Sequence, residues 1–345
     1  MAPLSSQATH GIAQPSLPGY HELPIDSSRP PHASWGVFGD GDQLGTINLL
    51  TPERVRYAVS LVQKGAVFPL NWDIEKPSPP MFDRQPLRHT LFMLGEGTDD
   101  RYDDFYPQGS TQWDALSHIG HPEYGFYNGC TRDEITGRSG SRNGIDNVAR
   151  HGVVGRFVLA DVARYREHIG RPLQSTASDI VTVDEVDDAL RWEHVSILDG
   201  DILLLRFGWI TWWERASQVV RDALHLQLPD RSYLDGPRVL MEEIPSFPGL
   251  AREERTAEWM WNHHIAALAA DSPSIEVMPF DMTRPDGFLH YRLLSLLGMT
   301  LGEFFALDEL ADDCAKDGVY EGLLTSAPLN KTGGSGSPAN ALAIK

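Results

Sequence analysis

Apolar positions along the chain fall into two kinds of run. Short, near-continuous apolar stretches bounded by Gly or Asp read as strands buried on both faces. Residues 152–161, 200–208 and 265–270 are of this kind, and 66–72 and 89–94 read as further strands. Helical periods lie between them. Thr51 caps a helix with Pro52 in its first position and Val55, Ala58, Val59 and Val62 as its stripe, ending at Gly65. Residues 183–194 open on an acidic turn, which the helix dipole favours. Residues 249–264 and 290–297 read as helices, and 302–314 continue in that mode through Leu307, Leu310 and Ala311. Strands and helices alternate without an internal repeat, which predicts an α/β fold with one mixed sheet and a single body over residues 35–345. Residues 1–34, rich in Ser, Pro and His, read as an extended arm draped over the body or over a partner subunit.

The stretches between these elements are uneven. Residues 77–86 are proline-rich, and 95–108 read as a loop carrying four aspartates. Residues 124–143, rich in Gly, Asn, Arg and Tyr, are long for an irregular connection and read as a lid or binding loop. Residues 35–45 are glycine-dense but miss the dinucleotide spacing, so a structural turn is the better reading. The three tryptophans within 209–216 suit a pocket wall, a subunit contact or plain core.

One stretch concentrates chemistry. Gln108, Ser110, Thr111, Gln112, Asp114, Ser117 and His118 lie within eleven residues, with His121 just beyond and Pro107, Gly109, Gly120 and Pro122 as turn formers. Asp114 and His118, four apart, share a face on a helical turn. In an extended run the even positions 108, 112, 114 and 118 point to one side. Either way Asp114 and His118 converge. Nearby aromatic residues, Trp113, Phe126 and Tyr127, suit a flat substrate, with Gln108 and His121 as further contacts. Ser110 lacks the setting of a nucleophile elbow. His263 and His264, late in a Trp-rich helix, read as core or surface.

Charge and cysteine content narrow the classes. The chain has 345 residues, 29 basic and 48 acidic, for a net charge of −19. Such a surface repels phosphate backbones and anionic headgroups, so nucleic acid and membranes are poor partners. A small-molecule substrate fits better. Cys130 and Cys314 allow at most one disulfide and form no metal or redox motif, which suits a reducing compartment. Neither a secretory signal nor a bilayer-length apolar run is present, so a soluble cytoplasmic protein is expected.

The run from Gln108 to His118 resembles the His-Gly-Gly-Thr-His-x-Asp-x-Pro-x-His signature of the cyclase family, which includes bacterial kynurenine formamidase and isatin hydrolase. Similar stretches occur at residues 41–53, 151–156, 200–206, 269–276, 289–294 and 302–305. The last thirteen residues resemble a family ending, so a tail that is flexible by composition is ordered by resemblance. The resemblance implies a swivelling β/β/α fold, dimers or tetramers, and zinc or manganese. One family metal site falls on Gln108, Gln112 and Asp114, where two histidines have become amides. Amide oxygens are weak ligands for such ions. A second falls on His118, His290 and Glu303, with Asp114 able to bridge. Three arrangements stay open: one ion on Asp114, His118, His290 and Glu303; a weak ion on the amide side; or no ion, with His118 and Glu303 working as acid and base.

The leading expectation is hydrolysis of an amide, lactam or lactone in a small aromatic or cyclic substrate. His118, Asp114, Gln112 and Glu303 would carry the chemistry. A metal-independent lyase, dehydratase or cyclase is the alternative, and a non-catalytic binding protein descended from the family is a third.

Overall fold

The interior is carried by strands whose residues need no water on either face. In the computed structural model, which describes residues 17–224 and 246–345, the strands are β1 (Val67–Pro69), β2 (Arg88–Leu94), β3 (Gly97–Asp103), β4 (Gln112–Asp114), β5 (Val153–Ala160), β6 (Ile180–Val181), β7 (Ile202–Leu205), β8 (Gly249–Leu250), β9 (Ala267–Ala270), β10 (Thr300–Glu303), β11 (Glu321–Ser326), β12 (Gly336–Pro338) and β13 (Ala341–Ile344). Nine of them form one mixed sheet in the order β1-β13-β11-β5-β7-β9-β10-β4-β12. Its centre, β5-β7-β9-β10, is parallel, and the flanking pairs are antiparallel.

Alternation along the central strands explains the two cores. Val158, Ala160, Leu203, Leu205, Leu268 and Ala270 enter one apolar cluster, and Phe157, Leu159, Ile202, Leu204, Ala267 and Ala269 enter another. The helices are α1 (Pro52–Ser60), α2 (Ile145–His151), α3 (Val162–His168), α4 (Val183–Trp192), α5 (Trp209–Arg215), α6 (Gln218–Leu224), α7 (Glu254–Asn262) and α8 (Asp308–Asp317); α3, α4 and α7 add to the first cluster, and α2 and α8 to the second. The result is the mixed α/β single domain that the alternation of elements predicts. The tryptophans of α5 are mainly core: Trp209 and Trp213 are buried with Phe247, Phe288 and Phe304 in a third cluster. None of the helices among the described residues is long and apolar enough to cross a membrane.

Several elements differ from expectation, each for a local reason. Helix α1 keeps its Thr51 cap, but of its expected stripe only Ala58 is buried, and Val59 is exposed. Residues 249–250 pair with β6 instead of starting a helix, so α7 begins at Glu254. The expected loop at 95–108 contains β3, which turns back on β2 as a hairpin. The expected helix at 302–314 is a strand, a bend and then α8. Gly302 sits in that strand because a Cβ there would lie 2.6 Å from Phe305 and 2.8 Å from both Ala269 and Trp113. Four residues are too few to show a strand period. The C-terminal residues are ordered: β13 lies between β1 and β11. At the other end, residues 17–34 place Tyr20, Leu23, Ala33 and Ser34 in the interior, while residues 1–16 lie outside the described residues.

Candidate active site

Strand β4 sets the site. Its alternation turns Gln112 and Asp114 to one side and Trp113 to the other. After Asp114 the chain turns, with the His118 amide donating to the Ala115 carbonyl at 2.9 Å, and His118 swings back toward Asp114. Register then brings in the second carboxylate. Glu303 of β10 lies directly opposite Gln112, and the Gln112 amide donates to Glu303 Oε2 at 2.6 Å. On the other edge, Gly336 of β12 pairs with Asp114. A Cβ at Gly336 would come within 2.5 Å of the Gln108 amide nitrogen, so glycine is what leaves room for that side chain. Gln108 Nε2 lies 3.4 Å from His118 Nδ1 and 3.3 Å from Ser335 Oγ.

His290 arrives from the last third of the chain, at the head of a π-helical turn, Tyr291–Leu296. Such turns are rare and recur at functional sites. Its Nδ1 lies 2.9 Å from Glu276, which also accepts from the Leu289 amide at 3.0 Å and from the Ser274 hydroxyl at 3.0 Å. Phe288 stacks on the imidazole at 4.3 Å. The other nitrogen, Nε2, therefore points at two carboxylates: Glu303 Oε1 at 3.3 Å and Asp114 Oδ2 at 3.7 Å. His118 Nε2 is 3.7 Å from the other oxygen, Asp114 Oδ1.

Both Asp114 oxygens and the Gln112 carbonyl oxygen are buried without a hydrogen-bond partner. Atoms of Asp114, His290 and Glu303 lie within 4.8 Å of one another. An imidazole nitrogen and two carboxylate oxygens at that separation suit a divalent ion such as zinc or manganese, and the orphaned Asp114 oxygens are the atoms such an ion would satisfy. His118 stands beside this trio, and its side chain is 25% exposed where that of Asp114 is fully covered. Burial holds the Glu303 carboxyl up at about 7, with the Asp114 charge pushing the same way. Burial pulls the His118 imidazole below its usual value, against the pull of Asp114. Burial also opposes protonation of His290, but Glu276, Asp114 and Glu303 together raise it well above its usual value.

Not every residue expected at the substrate is there. Trp113 is fully buried on the far face of β4, packed on Phe305 at 4.8 Å, with its indole donating to Ser326 Oγ at 2.9 Å. Tyr127 is also core: its hydroxyl donates to Asp42 at 3.0 Å. Phe126 packs over Gly120. His121 spends Nδ1 on the Glu123 amide at 3.2 Å and stacks on Tyr124 at 4.6 Å, edge-on to Tyr291. Glu276 and Ser335 carry parts of the site that the sequence reading assigned to neither. Glu276 ends the polar run that follows β9, inside the stretch 269–276 that resembles the family, where no role was assigned to it.

The family model described as "Putative cyclase" matches residues 50–277. A solved structure described as a novel cyclase is 32% identical, with a TM-score of 0.76, covering 91% of this chain and 99% of its own. Isatin hydrolase A from Labrenzia aggregata, solved with benzyl benzoate, is 17% identical with a TM-score of 0.54, over 81% of this chain and 93% of its own. An isatin hydrolase bound to the product analogue thioisatinate is 16% identical with a TM-score of 0.55, over 81% and 92%. At these identities the two isatin hydrolases share the fold. None of the curated proteins matches. Taken with the sheet order and the carboxylate–imidazole centre, the family match and the 32% relative place this chain in the cyclase family.

Proposed function

We propose that the protein is a hydrolase of an amide, lactam or lactone bond in a small cyclic or aromatic substrate. In this reading a divalent cation is held by Asp114, His290 and Glu303. The observation that carries it is Asp114, a fully buried carboxylate whose two oxygens have no donor and face two imidazoles. When bound, such a cation supplies an acidified water and polarises the scissile carbonyl.

The chain's own residues do the rest. His118 holds and moves the proton at Nε2; with its basicity lowered by burial it is neutral near pH 7 and ready to accept. Gln108 can serve His118 Nδ1 as donor or as acceptor, because an amide offers both, so it orients the ring in either protonation state. Gln112 fixes Glu303 through its N–H, and Glu276 fixes His290 through Nδ1. Such outer contacts orient ligands and set their basicity. The related fold that binds thioisatinate supports a flat cyclic substrate.

A second reading has a specific observation behind it. Three carboxylates surround His290, and a proton on Nε2 supplies positive charge where the cation would sit. That state serves a metal-independent lyase or dehydratase. The deciding experiment assays the purified protein on aryl formamides, isatin-like lactams and lactones, with elemental analysis and with chelator. Hydrolysis is expected to need zinc or manganese and to fall at least about 100-fold in His118→Ala, the scale of losing a general base. Turnover unchanged in His118→Ala would rule out the assignment. Turnover of a non-hydrolytic kind, indifferent to chelator, selects the second reading.

A further inference from the structure

We infer that Arg84 anchors the substrate: the amide, lactam or lactone cleaved here carries a carboxylate of its own, which the Arg84 guanidinium holds on the His118 side of the centre. The inference rests on the hydrolase reading above and narrows its substrate class. Arg84 lies late in the proline-rich loop of residues 77–86, and that loop is tied to both halves of the site. Met81 is buried in the aromatic cluster with Phe288, the ring that stacks on His290, and Phe82 packs against the same cluster. On the other side, Arg84 lines a small cavity with Tyr106 and Gly109, and Gly109 follows Gln108, which meets His118 Nδ1. Between these ties the backbone is strained. Phe82 and Asp83 take φ of +58° and +56°, left-handed values that residues with a Cβ rarely adopt. Strain of this kind gathers at ligand clamps. It leaves Arg84 over the Phe82 ring, with the guanidinium carbon 5.2 Å from the centroid, and that contact holds the guanidinium plane in place.

The reach of the charge gives the side. Arg84 acts on His118, opposing its proton, and is not among the main influences on His290 or Glu303. Arg84 therefore stands on the outer side of the centre, where the His118 side chain is itself 25% exposed. The flanking cations of the same stretch serve elsewhere: Lys76 pairs with Glu214 at 2.7 Å and Asp73 at 2.9 Å, and Arg88 with Asp104 at 2.8 Å. A chain of net charge −19 repels an anion at long range, and the centre adds the carboxylates of Asp114, Glu276 and Glu303. An anionic substrate is held there only by a fixed positive group at close range. A planar guanidinium suits a carboxylate, because its fork donates two parallel N–H bonds. The carboxylate that hydrolysis creates forms beside Asp114, His290 and Glu303, so the one held by Arg84 is brought in by the substrate.

The experiment uses the full chain supplied with zinc or manganese and two substrates that differ by one carboxylate, 2-formamidobenzoate and formanilide. In wild type, kcat/KM is expected to favour 2-formamidobenzoate by at least about 10-fold, mostly through KM, which is the scale of a charge-assisted hydrogen bond. Arg84→Met is expected to erase that preference. Arg84→Lys should restore part of it, since an ammonium keeps the charge and loses the fork; should Arg84→Met not fold, the partial loss in Arg84→Lys is read instead. An arginine that only braced the loop would slow both substrates together and leave their ratio in place. A second readout needs no turnover: phthalate binding, followed by calorimetry, is expected to weaken at least about 10-fold in Arg84→Met. Formanilide hydrolysis with no preference for the carboxylate, or with a preference that survives Arg84→Met, overturns the anchor and leaves the hydrolase reading standing. Phthalate binding that ignores Arg84 overturns it as well. If neither formamide is cleaved but phthalate binding depends on Arg84, the reaction is misassigned and the anchor holds.

Discussion

Two buried groups of charge belong to the same sheet and are neutralised in different ways. In the first, Arg206 donates to Asp161 and to Asp308, each at 2.8 Å, and Arg164 adds a bond to Asp161 at 2.9 Å. The amides of Phe207 and Gly208 donate to Asp271 at 2.6 and 2.8 Å. The chain itself meets each of these three carboxylates. In the second group, Asp114, Glu276 and Glu303 surround the His290 imidazole, no arginine or lysine is paired with them among the described residues, and Asp114 meets no donor. An unpaired buried carboxylate is costly. The first group is complete as folded and serves stability. The second leaves both Asp114 oxygens without a donor, which the proposed cation would satisfy.

The sharpest way to break this contrast is to remove one aspartate from each group. Asp161→Ala removes a fully buried acceptor shared by Arg206, Arg164 and the Arg164 amide, leaving Arg206 with Asp308 and Arg164 with Asp312, and is expected to cost about 3 kcal/mol in urea unfolding. Asp114→Asn removes a charge that accepts no hydrogen bond and faces only the His118 and His290 imidazoles at 3.7 Å, so its unfolding free energy is expected to change much less than in Asp161→Ala. It should nonetheless lose cation binding, and hydrolysis should fall at least about 100-fold. An Asp114→Asn protein as unstable as Asp161→Ala would mean that the two groups do the same job. A gentler probe is the cation itself. Zinc or manganese at about 100 times its dissociation constant should add about 2.7 kcal/mol to the stability of wild type and nothing to Asp114→Asn. A thermal shift of equal size in both proteins would place the binding elsewhere.

The contrast also shows what could be read before folding. The segment from Gln108 to His118 was legible because its polar groups are neighbours in sequence, and parity alone turned Gln112 and Asp114 to one side. The same parity places Trp113 opposite them; reading it for its aromatic ring instead of its position sent it to the substrate, when it is core. Glu303 was reached through family resemblance, since its four-residue strand is too short to show a period and resembles the start of α8. Glu276 lay in another stretch of that resemblance, but nothing there gave it a role. Its role exists only after the π-turn carries His290 Nδ1 to it from fourteen residues away. Long apolar strands are local facts of sequence, whereas a contact across register belongs to the assembled sheet.

The smallest expected effect concerns a carboxylate beside the first group, Glu193, one of whose oxygens lacks a donor. Glu193 accepts from the Asp161 amide through Oε1 at 2.8 Å, while Oε2 is buried with no donor. Burial, helped by the Asp161 charge, pushes its carboxyl up to about 9 from 4.5. The charge missing there is supplied by a proton. A folded-state value above the unfolded one means that this contribution is whole below pH 4.5 and is lost as the pH climbs toward 9. Asp201 and Asp271, both raised by burial to about 7, decline in the same direction but over a lower range. Between pH 7 and 9 His290, also raised, declines alongside Glu193, so the Glu193 part is read from the difference between wild type and variant. Glu193→Gln keeps the neutral shape, so below pH 4.5 its unfolding free energy should match wild type to within about 0.5 kcal/mol. From pH 7 to 9 the wild type should fall away from the variant, by no more than the roughly 1.4 kcal/mol per pH unit that one proton allows. Parallel curves would show that Glu193 is already ionised in the folded state.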